Sequence, residues 1–209
     1  MPKTPGILGK KVGMTRIFSE DGSAIPVTVV EAGPCTVVKK KSEAKEGYNA
    51  IQVGFLEKKA SHVNKPMKGH CQASGAPGYY CLKEFKVNNP DDYEIGRKLR
   101  SNDFFEIGDV VDVTGKTKGR GYQGVIKRHG FTGGKKTHGS MFHRAPGSIG
   151  NAATPSKVVK GKKLPGQMGN KKVTKQNVVI IDIREEDNLM VLKGSLPGNN
   201  KGLVQIYSK

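Results

Sequence analysis

Gly115-Lys116-Thr117-Lys118-Gly119-Arg120-Gly121-Tyr122-Gln123-Gly124 opens the stretch that decides how this chain is built. From Gly115 to Lys175 there are 15 Lys or Arg and no Asp or Glu, so most of the formal +18 sits in under a third of the 209 residues. The same stretch holds 13 of the 28 glycines, and its apolar residues are too thinly spread to enclose a core. Such a segment cannot offset its chain entropy by apolar burial. Its charges repel one another unless a polyanion neutralises them. It reads as a loop embedded in nucleic acid. A solvated basic linker is the rival reading, but a linker has no reason to exclude every acid.

The flanks read as strands. Just before the basic stretch, Glu106-Ile107-Gly108-Asp109 is a tight turn, and Val110, Val111 and Val113 continue as a strand. Just after it, Val178–Ile183 is a continuous apolar strand. Glu186-Asp187-Asn188 turns the chain, Leu189–Leu192 returns, and Leu203–Tyr207 is a last strand. Further out, Ile7–Phe18 is interrupted by Gly9 and Gly13, which suits a bent strand or two strand pieces. Asp21-Gly22 is a hairpin signal leading into the β-branched run Ile25–Glu31. Gly33-Pro34 then predicts a second hairpin, with Thr36–Lys41 as partner strand. Glu43–Gly47 reads as a polar loop, and Ala50–Phe55 alternates as a strand with Ile51, Val53 and Phe55 on one face. Asn64 ahead of Pro66 predicts a short helix to about Ala73. Leu82–Val87 is a strand, and Tyr122–His129 is expected to make two helical turns with Val125 and Ile126 inward.

Short strands, frequent turns and little helix make the fold mainly β, a barrel or sandwich. Residues 1–114 and 176–209 are expected to form its globular part, with a less regular insertion over about 56–105, and residues 115–175 the basic extension. An irregular segment this long is uncommon in a compact domain unless it is functional.

Composition narrows the partners. A sequence pI of about 9.8 points to a polyanion. No amphipathic basic helix supports a membrane surface, and no apolar run approaches a membrane span. Met1–Gly6 has neither the apolar centre of a signal peptide nor a transit pattern, so a cytoplasmic location is expected. Three cysteines, Cys35, Cys71 and Cys81, suit a reducing compartment.

Gly119–Gly124 matches the G-x-G-x-x-G dinucleotide fingerprint. The acid that should follow about twenty positions on is missing, because that neighbourhood is His143-Arg144. The glycines instead allow close approach of backbone to RNA phosphates. His62, His70, Cys71 and Cys81 lack any Cys-x-x-Cys pair, so no metal site is expected. Ser140 and Ser148 lie near His138 and His143, but no acid is there to orient a base. The sequence therefore predicts no enzyme, no cofactor and no small-molecule substrate. A general nucleic-acid-binding protein and a nucleotide-dependent enzyme using residues 119–124 are the rival classes. With only Tyr122, Phe131 and Phe142 as rings in the stretch, phosphate and shape should dominate the contact. If about eight to ten cations touch phosphates, the log–log salt slope is about −6 to −9.

Several motifs resemble one family. Gly9-Lys10-Lys11-Val12-Gly13-Met14-Thr15-Arg16-Ile17-Phe18 looks like the opening of bacterial ribosomal protein L3. Ile25–Glu31, Gly119–Gly124, His138-Gly139-Ser140 and Val191–Gly198 are similar too. The most specific match is Arg144-Ala145-Pro146-Gly147-Ser148-Ile149-Gly150, followed by Lys160–Lys163 and Gly166–Asn170. The resemblance implies a translation-protein-type β-barrel in the large ribosomal subunit and an early-binding assembly protein that contacts 23S rRNA and neighbouring ribosomal proteins. It also implies a basic loop reaching toward the peptidyl transferase centre, its tip at Asn151, Ala152, Ala153, Thr154, Pro155 and Ser156. The candidate RNA contacts are Lys10, Lys11, Arg16, Lys116, Lys118, Arg120, Lys127, Arg128, His129, Lys135, Lys136, His138, His143, Arg144, Lys157, Lys160, Lys162, Lys163, Lys171 and Lys172. Some bacterial members carry a methylated glutamine where this chain has Ala153, so that modification is expected to be absent.

Overall fold

The computed structural model describes residues 6–76 and 78–208. The N-terminal Met1–Pro5, on which the reading of a missing leader rests, lies outside them, as do Pro77 and Lys209. The fold is mainly β. In chain order the strands are β1 (Ile7–Phe18), β2 (Ala24–Ala32), β3 (Cys35–Lys41), β4 (Ala50–Glu57), β5 (Tyr79–Lys86) and β6 (Lys98–Leu99). They continue as β7 (Val110–Lys116), β8 (Gly121–Gln123), β9 (Gly166–Met168), β10 (Lys172–Arg184), β11 (Leu189–Lys193) and β12 (Leu203–Ser208). The α-helices are short: α1 (Glu43–Glu46), α2 (Lys65–Cys71) and α3 (Val125–His129).

The chain forms two compact units. One runs to Lys116 and resumes at Lys172; the other is Thr117–Lys171. In the first unit six strands hydrogen-bond in a closed ring, in the order β1-β12-β7-β10-β11-β2, and every pairing is antiparallel. A second sheet has the order β5-β4-β3-β6.

β1 and β2 make the hairpin expected at Asp21-Gly22, with Phe18 opposite Ala24 and Gly22 at φ +77. β1 is one strand, but its register slips between Lys11 and Gly13. The extra residue is Val12, half exposed, and a bulge of this kind bends the strand. The second expected hairpin does not form. β3 pairs with β4 and β6, because both edges of β2 are already occupied by β1 and β11. Glu43–Glu46 is a single helical turn rather than a plain loop, ended by Gly47 at φ +78. Asn64 stands at the N-cap of α2 with Pro66 in its first turn, without a side-chain capping bond. Asn177 has φ +57 at the register shift where β10 passes β7, and its N–H donates to the Asp112 carboxylate at 3.0 Å. Asparagine tolerates that left-handed backbone.

Ring and second sheet share one core. Ile7, Leu8, Val30, Val113, Ile180, Met190, Leu192 and Ile206 from the ring cluster with Val37, Ile51, Val53, Phe55 and Phe85 from the sheet. Phe85 meets Tyr207 of β12 edge-on at 5.4 Å. A smaller cluster joins Val38, Cys71 and Tyr79.

Burial governs the thiols. Cys35 is 1% exposed, and desolvation pushes its pKa up to about 12; its Sγ donates to the Leu8 carbonyl at 3.6 Å. Burial also raises Cys71, which is inaccessible, and Cys81, which is half-buried. Only the thiolate reacts quickly. At pH 8 a disulfide reagent should therefore modify Cys81 in the folded protein and reach Cys35 and Cys71 only on unfolding. Fast native modification of Cys35 would show that β1 and β3 do not seal it.

Candidate nucleic-acid interface

In the Thr117–Lys171 unit the two ends of the segment are bonded to each other. The Thr117 N–H donates to the Lys171 carbonyl at 2.9 Å, and the Asn170 N–H to the Thr117 carbonyl at 3.2 Å. β8 and β9 follow as a two-stranded ribbon, with Tyr122 opposite Gln167. Gly169 is required there: its φ is +71, and an added Cβ would lie 2.0 Å from the Lys118 carbonyl oxygen. The residues Tyr122 and Gln123, expected as helix, are strand because β9 supplies their partner from more than 40 positions away. The helix starts at Val125, which is buried.

Beyond α3 the chain has no helix or strand until Gly166, but it is tied. The Arg128 guanidinium donates to the Leu164 carbonyl, and His129 Nε2 lies 3.1 Å from the same oxygen. The Gly134 N–H donates to the His143 carbonyl at 2.7 Å. A Cβ on Gly134 would fall 2.3 Å from the Phe142 ring, so this glycine lets the two passes of chain close on each other. From Met141 to Lys163 every residue is exposed, including the whole segment Asn151–Ser156.

The electrostatics are one-signed. Lys118, Arg120, Lys127, Lys135, Lys136, Arg144, Lys157, Lys160, Lys162, Lys163 and Lys171 are all exposed, and the unit contains no carboxylate side chain. Among the described residues the ion pairs are Lys10–Glu31, Lys39–Glu46, Lys41–Glu84 and Arg184–Asp182, all outside this unit. Nothing within it can neutralise its cations.

In the first unit, Lys116 and Lys172 face each other across β7 and β10. With Lys83 of β5 they line a cleft of about 400 Å³ that also has Asn199 and Gln205 on its wall and no carboxylate. Lys83 was not among the residues expected from sequence. It lies in the least distinctive region, and only the folding of β5 brings it to Lys116.

The family model for ribosomal protein L3 matches residues 85–190. The large ribosomal subunit protein uL3 of Desulfotalea psychrophila is 56% identical over all 209 residues, covering 100% of both chains. The uL3 protein of Syntrophotalea carbinolica is 55% identical, covering 97% of each chain. That of Geotalea daltonii is 54% identical, covering 96% of this chain and 95% of its own. The chain belongs to the ribosomal protein L3 family.

Other basic residues and histidines singled out in the sequence differ in exposure and in their partners within the fold. Lys11 is 6% exposed and its ammonium donates to the Leu196 carbonyl at 3.1 Å, so it serves the fold and is not offered to a phosphate. Alternation along β1 does not announce this, because Leu8 on the opposite side is buried as fully as Ile7. Lys10 is partly exposed, 3.8 Å from Glu31. Arg16 is exposed, its guanidinium 5.9 Å from the centre of the Phe18 ring. Lys175 donates to the Ser195 carbonyl at 2.8 Å. His138 and His143 are exposed at φ +58 and +38. His70 bonds Gln52 at 2.6 Å. Among the described residues no group of three His, Cys, Asp or Glu is placed to hold a metal ion. No helix in the described residues is long and apolar enough to cross a membrane. Gly119–Gly124 leads into the ribbon and a five-residue helix, not a βαβ unit.

Proposed function

We propose that this chain is a structural constituent of the large ribosomal subunit that binds 23S rRNA directly. The observation that carries the reading is the acid-free, surface-exposed set of cations in the Thr117–Lys171 unit, in a chain whose relatives bear the name large ribosomal subunit protein. The role is architectural rather than catalytic. Lys and Arg neutralise phosphates that must pack closely in folded rRNA. The six-stranded ring is read as the translation-protein-type barrel that anchors the protein among its neighbours. Residues 115–175 are read as the extension, with Asn151–Ser156 as the tip nearest the peptidyl transferase centre. Binding early, the extension would be enclosed as the rRNA folds around it. Ala153 leaves the tip without the glutamine that some members methylate.

Sedimentation of a lysate through sucrose gradients at low and high salt tests this. The chain should run with the large subunit and stay there at high salt, because a loop enclosed by RNA is not released by screening alone. Release at high salt, or absence from the particle, favours a general nucleic-acid-binding protein held only at the surface.

A further inference from the structure

Tyr122 is 73% exposed, yet its backbone is held in place. It sits in β8, paired through the ribbon to Gln167, and the Arg120 N–H donates to the Met168 carbonyl at 3.0 Å beside it. A lone exposed ring is ordinary on a protein surface. This one differs in its setting. Opposed residues of an antiparallel pair project to the same face, so Tyr122 and Gln167 stand side by side, and both are exposed; the Gln167 Nε2 donates to the Met168 carbonyl at 3.3 Å, which leaves its Oε1 as the group turned to a ligand. Among the described residues no ring or cation packs on Tyr122. Exposed Lys118 and Arg120 precede it, with no acid in the unit. Its glycine neighbours leave the approach bare. Gly124 has nothing within 4 Å of an added Cβ, and Gly119 has only Asn170 at 3.7 Å. Gly121, directly before the ring, is held at φ +68 and needs glycine for its backbone, whereas Gly119 and Gly124 are not in left-handed backbone and the protein's own packing does not require glycine there.

We infer that Tyr122 and Gln167 form a receptor for one unpaired RNA base, the ring stacking on its face and the amide addressing its edge. This rests on the RNA-binding reading above and adds base recognition to a contact otherwise made of phosphates. Every base has a face that an aromatic ring can cover, and unpaired bases expose edges to amide side chains. Lys118 and Arg120 then meet the phosphates of the same strand.

The chain has no tryptophan, so Tyr122→Trp introduces a single indole. Titrated with a 23S rRNA transcript, its emission should be strongly quenched on binding. Tyr122→Ser should bind about tenfold more weakly with an unchanged salt slope, and Tyr122→Phe should bind like the parent. Emission that stays solvent-like, or that brightens and shifts to the blue as in a dry protein pocket, overturns the assignment. So does parental affinity in Tyr122→Ser, or a loss of affinity accompanied by a changed salt slope. A parent chain that does not bind the transcript at all removes the RNA-binding reading itself, a result distinct from failure of Tyr122 alone.

Discussion

A chain lacking residues 131–163, with Gly130 joined directly to Leu164, should fold and yet fail to enter the large subunit. Every residue of the main core cluster lies outside the deletion. Val125, the buried apolar residue of the Thr117–Lys171 unit, is retained, as is the Leu164 carbonyl that receives Arg128 and His129. Because those two residues already reach Leu164, the new joint spans a short gap. The deletion removes seven of the 36 Lys and Arg and no acid. If each meets a phosphate, the salt slope should become shallower by about 5 to 6, and affinity for 23S rRNA should fall by about a thousandfold or more. Thermal unfolding should be nearly unchanged. Two measurements decide it, the unfolding transition of the purified chain and the large-subunit yield of a strain carrying only the deletion. Normal yield would mean that the distal segment is dispensable and that the folded parts carry recognition.

The sequence declared some parts of this architecture and hid others, and the difference follows range. The β1–β2 hairpin was legible because Asp21-Gly22 and its two flanking strands lie within 26 residues. The false hairpin at Gly33-Pro34 had an equally good local signal. What excludes it is β11, about 160 residues away, which occupies the edge of β2. Tyr122 and Gln123 were misread for the same reason, since β9 is what makes them strand. The limits of the basic stretch were also blurred. Lys172 and Lys175 look like part of a charged loop but form the first turns of the ladder in β10, opposite Lys116 and Val113. At the candidate site, the absence of acids is a compositional fact, so it is visible without a fold. Lys83 joining Lys116 and Lys172 is a product of sheet stacking, and no local pattern announces it. Lys11 is a further such case, since both Ile7 and Leu8 are buried at the start of β1 and no local pattern marks the lysine as inward.

Phe85→Ala should be among the most destabilising single substitutions in the chain, and its effect on assembly should depend on temperature. Phe85 of β5 is 2% exposed, sits opposite Ile51 of β4, and presents its ring to Tyr207 of β12. A Cβ on Gly6 would come within 2.5 Å of the same ring, so the backbone just before β1 also lies against it. One side chain thus joins the second sheet to two neighbouring parts of the ring. Removing it leaves a cavity among side chains fixed by two ladders and unable to collapse. The cost is about 3–5 kcal/mol, which lowers the melting temperature by about 10 °C in a unit of this size. Phe85→Leu keeps most of the volume and should cost about half as much or less. A melting temperature within about 3 °C of the parent for the alanine variant would mean that the sheets do not depend on this joint. If, as proposed, rRNA binds the folded chain, it offsets part of the loss by mass action. Large-subunit yield should therefore be near normal when cells grow cool and fall sharply on warming. The deletion of residues 131–163 removes the proposed RNA contacts themselves and should fail at every temperature. That contrast separates the two tasks proposed for the molecule, a β core that must stay folded and a cationic extension that must meet RNA.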